Sequence, residues 1–237
     1  MRSLDYRIPA LWDCWGYQGH RQRARGEIIV DPRAYATACL EWIYQHSEFE
    51  GRYAGRSLSQ IRRNARKGSR RATGSLSASA NDTRPAASSG GGDWIARQIL
   101  YGMMVRTTTA WDHDGDGRIT SRRYAEMGTF LKSVLLLPLL NKMGITTVYL
   151  LPVVKVSNLY RKGALGCPYS ARNFLELDAG QHDPLFSDDP ADVAGEFAMF
   201  VECAHRLGMR VMLDIAPRTA ARDCDWIIEH PEWFYWI

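Results

Sequence analysis

The chain has 237 residues, 46% of them hydrophobic and 24% charged, with a formal net charge of +4. That length buries one large core or two small ones, and the composition is that of a soluble globular protein. The five cysteines (Cys14, Cys39, Cys167, Cys203, Cys224) are scattered with no CxxC pair, which excludes a zinc ribbon or a disulfide framework and fits a reducing compartment. The N-terminal MRSLDYRIPALWD lacks the apolar stretch of a signal peptide, and the strongest apolar run, Val134 to Leu140, is far too short to span a membrane. A cytoplasmic protein is expected.

In chain order, Asp31-Pro32 followed by RAYATACLEWIYQHSEF reads as a helix start, with Tyr35, Cys39, Trp42 and Ile43 at helical spacing. Between Gly51 and Asn81 lie eight basic residues and no acidic one, so the rest of the chain is net negative. This stretch runs into SLSASANDTRPAASSGGG, which cannot bury enough apolar surface to offset its ordering entropy. Residues 51–92 are therefore expected to be a disordered insert, serving either as a solvated linker or as a contact for nucleic acid or another polyanion. With Tyr53 its only aromatic, the linker reading is favoured and nucleic acid disfavoured.

After the insert, Asp93 is placed to cap a short turn, and Ile99 to Val105 reads as a strand. Gly128 to Met143 reads as a helix that Pro138 should kink and Gly144 should end. Thr146 to Val154 is a continuous apolar strand, the mark of a strand covered on both faces. About 35 residues of loop follow, too many for a mere connection. A second amphipathic helix, Ala191 to Leu207, closed by Gly208, leads into a strand at Arg210. Strand, helix, strand, helix, strand predicts a parallel sheet with its site at the C-terminal ends of the strands.

Three loops project from that end, and Arg106, Tyr169, Arg172, Asp214, Arg218, Arg222 and Asp223 are the candidates to converge there. Each has an ordinary alternative as a loop salt bridge or turn contact, and Asp214 as a cap after its strand. In the loop Asp112-His-Asp114-Gly-Asp116-Gly-Arg118-Ile-Thr120, alternate carboxylates and a glycine suit an oxygen-lined Ca²⁺ site. An EF-hand would need a Glu where Arg123 stands. The loop is thus either a metal site completed by ligands from elsewhere or an acidic glycine turn.

VYLLPVVKVSNLYRKG, CPYSARNFLELD, HDPLF, DIAPRTAARD and EHPEWFYWI, with IPALW and VDPRAY near the N-terminus, resemble the maltosyltransferases of the alpha-amylase superfamily, glycoside hydrolase family 13. The likeness extends over nearly the whole chain apart from residues 51–92. It implies an α/β fold that is part of a (β/α)₈ TIM barrel, about its first three β/α units. The corresponding organisation is an N-terminal helical extension over 1–50, the insert over 51–92 and the barrel portion over 93–237. Asp214 matches the Asp that opens the superfamily's first signature motif, and Tyr169 matches the aromatic platform of the bond-cleaving subsite. Where amylases continue the motif with Asn and His, this chain has Arg218 and Thr219, as the maltosyltransferase type does.

The resemblance implies a retaining transfer of maltosyl units between maltodextrins, with maltooligosaccharides or α-1,4-glucan and the remainder of the barrel as partners, no membrane and no required cofactor. Hydrolysis, or glucan or polyanion binding without catalysis, are the alternatives. Retaining chemistry needs two carboxyls about 5–5.5 Å apart. The resemblance places them after later strands, beyond Ile237, so the chain alone is expected to be inactive. The substrate-binding set is then Tyr169, Asp214, Arg218, Arg106, Arg222 and Asp223, and the metal set Asp112, Asp114, Asp116, Arg118 and Thr120.

Overall fold

The computed structural model describes residues 5–24, 26–47, 95–119, 126–159, 161–163 and 165–235. The expected insert, Asp93 and Thr120 lie outside these described residues. Strands β1 (Tyr6–Pro9), β2 (Gln22–Ala24) and β3 (Glu27–Val30) form an antiparallel sheet in the order β1-β3-β2. Residues 1–50, expected as a helical extension, thus carry these three strands ahead of their helix. Tyr6 and Ile8 of β1 and Ile28 and Val30 of β3 are buried at period two. Four-residue strands are too short for that alternation to stand out beside a strong helix signal.

Helix α1 (Pro32–Gln45) begins as its sequence predicts. The Asp31 carboxylate accepts the Arg33 and Ala34 amides, each at 3.0 Å, and Pro32 fills the position where no amide partner is needed. Tyr35, Cys39 and Ile43 form the buried face.

Helix α2 (Phe130–Lys142) is buried along most of its length, because α1, the turn Ala10–Asp13 and helix α3 (Val193–Arg206) pack around it. It runs through Pro138 as one helical element. Gly144 and Gly208, both at positive φ, follow α2 and α3 at the expected stops.

The remaining strands are β4 (Leu100–Met103), β5 (Thr147–Leu150), β6 (Val154–Val156), β7 (Ala171–Leu177) and β8 (Arg210–Leu213). β4, β5 and β8 form a parallel sheet in that order, with Gly102, Tyr149 and Met212 in one register row. The first strand is shorter than expected. Its ladder closes where the Leu151 amide meets the Met103 carbonyl at 2.9 Å; the chain then turns into a helical turn, Val105–Thr108. Pro152, which has no amide hydrogen, lies between β5 and β6 and divides the apolar run that reads as one strand. The long loop is not structureless. It carries the antiparallel hairpin β6–β7, with an irregular register at Lys155. Among the described residues the parallel sheet is open, and no helix is long and apolar enough to cross a membrane.

One buried polar network joins these layers. Glu196 of α3 accepts the Leu131 amide at 2.6 Å and the Asp183 amide at 2.9 Å, and His182 Nδ1 lies 2.9 Å from the same carboxylate. Asp183 in turn accepts the Thr129 hydroxyl at 2.8 Å, beside the first turn of α2. Lys132 donates to the Met127 carbonyl at 2.8 Å. Burial pushes its ammonium down to about 8, against the pull of Asp183, Glu126 and Glu196.

Candidate functional site

The end of β8 delivers Asp214 to the edge of the sheet. Its amide donates to the Leu150 carbonyl at 2.8 Å, the last rung before the chain leaves the ladder. Its carboxylate Oδ2 accepts the Tyr169 hydroxyl at 2.7 Å. The two residues that sequence reasoning singled out most strongly are therefore in direct contact, although 45 positions apart. Tyr169 sits on a loop between β6 and β7, and the ladder around it is closed by Ser157 N to Ser170 O at 2.8 Å and Ser170 N to Cys167 O at 3.0 Å. It keeps 42% of its surface exposed.

A second phenol, Tyr149 of β5, shares the strand-end face with Asp214: its register partner on β8 is Met212, two positions before that carboxylate. Both tyrosines are held above the usual phenol range. For Tyr169 the bond to Asp214 is the main cause; for Tyr149 it is burial first and Asp214 second.

Beside this pair an open cleft of about 240 Å³ is lined by Ser157, Arg161, Lys162, Cys167, Tyr169 and Ala220, among others. Arg106, on the helical turn after β4, lines a separate narrow crevice with Pro152, Pro168, Asp178 and Gln181. Burial lowers the Arg106 guanidinium from its usual range. Asp178 opposes that shift and the nearby Arg161 adds to it. Its Nε is buried and has no hydrogen-bond partner among the described residues.

The other predicted residues order the loops. Arg172 bonds Asp225 through Nε at 2.9 Å, and Asn173 donates to the same carboxylate at 3.0 Å. These two bonds hold the Asp225 carboxyl below its ordinary range. Asp223 accepts the Asn158 amide at 3.0 Å. Burial opposes its ionisation, but bonds from the Ser157 hydroxyl and neighbouring amides prevail and its carboxyl is lowered. Arg218 and Arg222 are exposed on the loop after β8.

Sequence reasoning missed Tyr149, Arg161, Lys162 and Asp178. Tyr149 is hidden inside an apolar run that reads as pure core. Its one available signal was a polar-tipped side chain near the end of a strand.

The acidic loop is built differently from the predicted ligand set. Asp112 and Asp114 gather with the buried Glu126, their ligand oxygens all within 4.8 Å of one another. Asp116 and Arg118 are not part of that group; Asp116 instead accepts the Arg118 amide at 2.8 Å. Three hard oxygen donors would suit Ca²⁺. The Asp112 carboxylate, however, already accepts the amides of Gly115 at 2.7 Å, Gly117 at 2.8 Å and Asp116 at 3.1 Å. Burial would raise its carboxyl, and these bonds outweigh it and lower it. The loop docks on β1, where the Arg7 amide donates to the His113 carbonyl at 3.0 Å and the Tyr6 and His113 rings stack.

Comparison with known proteins adds the following. No family model matches the chain. An alpha-1,4-glucan:maltose-1-phosphate maltosyltransferase from Mycolicibacterium smegmatis is 31% identical over 158 residues, 60% of this chain and 20% of that enzyme. The enzyme of the same name from Salinibacter ruber is 34% identical over 110 residues, 42% of this chain and 16% of that one. The chain thus resembles these maltosyltransferases and spans about a fifth of their length. Among solved structures, an alpha-amylase from Lactobacillus plantarum is similar at 26% identity with a TM-score of 0.45, over 59% of this chain and 27% of that one.

Proposed function

We propose that the chain supplies the strand-end side of an α-glucan site in a maltosyltransferase of the alpha-amylase superfamily, its three parallel strands being the first units of a (β/α)₈ barrel. The observation that carries this reading is the Tyr169–Asp214 contact at the sheet's C-terminal end, beside an open cleft. A half-exposed tyrosine ring offers a flat apolar face for a pyranose, and a carboxylate accepts two sugar hydroxyls. The similarity to maltosyltransferases favours transfer over hydrolysis.

In this reading the chain holds sugar, and the carboxyl pair that cleaves the bond comes from the rest of the barrel. Arg161 and Lys162 add positive charge to the cleft. They favour a donor with an anionic leaving group, such as the maltose 1-phosphate in the relatives' name, over a neutral maltodextrin.

The test is calorimetric titration of the chain with maltotetraose and with maltose 1-phosphate. Saturable binding of both is expected, tighter for the phosphate ester at low salt. Asp214→Ala should weaken both about tenfold, the loss of a hydrogen bond to a charged group. Equal affinity for maltose and its phosphate would remove the anionic donor and leave the maltodextrin donor. Absence of saturable binding to any α-glucan would overturn the site. For the assembled enzyme, lengthened maltooligosaccharides mark transfer, and new reducing ends without lengthening mark the hydrolase alternative.

A further inference from the structure

We propose that Tyr149 is a second positioning residue of the glucan site, a strand-borne clamp that holds the Asp214 carboxylate independently of the Tyr169 loop. This inference rests on the glucan site proposed above. β5 and β8 run parallel, with Tyr149 opposite Met212 and Leu150 opposite Leu213. Side chains alternate along a strand, so Tyr149 shares its face with Met212 and with Asp214 two positions further on. The Asp214 backbone is fixed to the same strand through its amide bond to Leu150 at 2.8 Å. The ladder therefore sets phenol and carboxylate on one face, within reach of each other, with no loop needed to bring them there.

On the other side, Tyr149 lies opposite Gly102 of β4. A methyl group there would already touch the ring, at 3.9 Å from Cδ1. A longer side chain on Gly102 would compete for the ring's space, so a glycine at that register position suits an inward-lying tyrosine.

The two phenols differ in what carries them. Tyr169 is half exposed, on a loop that lines the cleft. Tyr149 is on the central strand of the sheet. No cation pairs with Asp214 among the described residues, so two neutral donors hold it. An ionised carboxylate has about four acceptor positions, and two phenols leave the others for sugar hydroxyls. Orientation is the contribution here: a carboxylate pinned before the ligand arrives loses less rotamer entropy on binding.

The experiment uses the 237-residue chain with Tyr149→Phe, Tyr169→Phe and Asp214→Asn. Affinity for maltotetraose is measured by calorimetry, and tyrosine ionisation by ¹³Cζ NMR. Tyr149→Phe is expected to weaken maltotetraose about two- to tenfold, the effect of a carboxylate that must be ordered on binding. Asp214→Asn is expected to lower the pH at which Tyr149 ionises, a shift that a purely packing role for the ring would not produce. Unchanged affinity in Tyr149→Phe, or an unmoved Tyr149 titration in Asp214→Asn, would overturn the clamp. Should Tyr149→Phe fail to fold, the titration in Asp214→Asn decides. A wild-type chain that fails to bind maltotetraose would overturn the glucan site and with it the positioning role, whereas normal binding with an insensitive Tyr149 would overturn the clamp alone.

Discussion

Glu196→Ala is expected to lower the unfolding free energy by about 3–5 kcal/mol, the usual cost of removing one partner from a buried charged network. Glu196 is fully buried and serves three partners: the Leu131 amide, the Asp183 amide and the His182 ring. Alanine would leave all three buried without the carboxylate that serves them. Chemical denaturation of the variant should show a lower midpoint with an unchanged slope, and a melting temperature down by roughly ten degrees.

The same network has a pH signature. Burial alone would lower the His182 imidazole, but its contact with Glu196 and the Ser187 carbonyl prevail and raise it. Burial pushes the Glu196 carboxyl up to about 6. A group whose pKa is higher in the folded state contributes stability that is complete below its unfolded pKa and lost as pH rises through the folded one. Both shifts therefore act in the same direction. The stability gap between the wild-type chain and His182→Gln should be larger near pH 5 than near pH 8. An equal gap at both would mean that the ring acts only as a neutral hydrogen-bond partner.

Gly128→Ala should be nearly as severe, for a steric reason. A Cβ on Gly128 would lie 1.8 Å from the Val105 carbonyl oxygen and 2.8 Å from the Thr109 hydroxyl. The first neighbour is backbone and has no rotamer with which to retreat. The Gly128 amide also donates to the Arg106 carbonyl at 2.9 Å, so the segment before α2 is bound to the turn after β4. Overpacking against flexible side chains costs about 1–3 kcal/mol; against a fixed carbonyl, about 3 kcal/mol or more is expected. The turn that must move carries Arg106, so the crevice with Asp178 and Gln181 should open as well. A Gly128→Ala chain with wild-type stability would show that the turn Val105–Thr108 yields freely.

What the sequence made legible were features with local causes. The α1 start was readable because Asp31 and Pro32 are cap chemistry confined to a few residues. The stops at Gly144 and Gly208 were readable because positive φ favours glycine. The parallel order β4-β5-β8 followed from alternating strand and helix patterns. Features with distant causes were not legible. Glu126 joins Asp112 and Asp114 only after the loop folds back, whereas spacing alone pointed to Asp116, Arg118 and Thr120. Arg172 is an attractive site residue by its loop position, yet Asp225, 53 positions away, takes it for structural use. Tyr149 needed the register between two strands, which no single-strand pattern contains.

The ties between β7 and the loop after β8 have a dynamic consequence. Ala221 N bonds Ala171 O at 2.8 Å, Asp225 N bonds Arg172 O at 3.0 Å, and the Arg172–Asp225 bond crosses the same seam. Asp223 fixes Asn158, just after β6, at the same end of the hairpin. One wall of the cleft is thus made of two stretches remote in sequence that share their hydrogen bonds. Such a seam opens as one cooperative unit or not at all. Loss of that seam would therefore loosen the start of β7 and the loop after β8 together, and with them the Tyr169 platform.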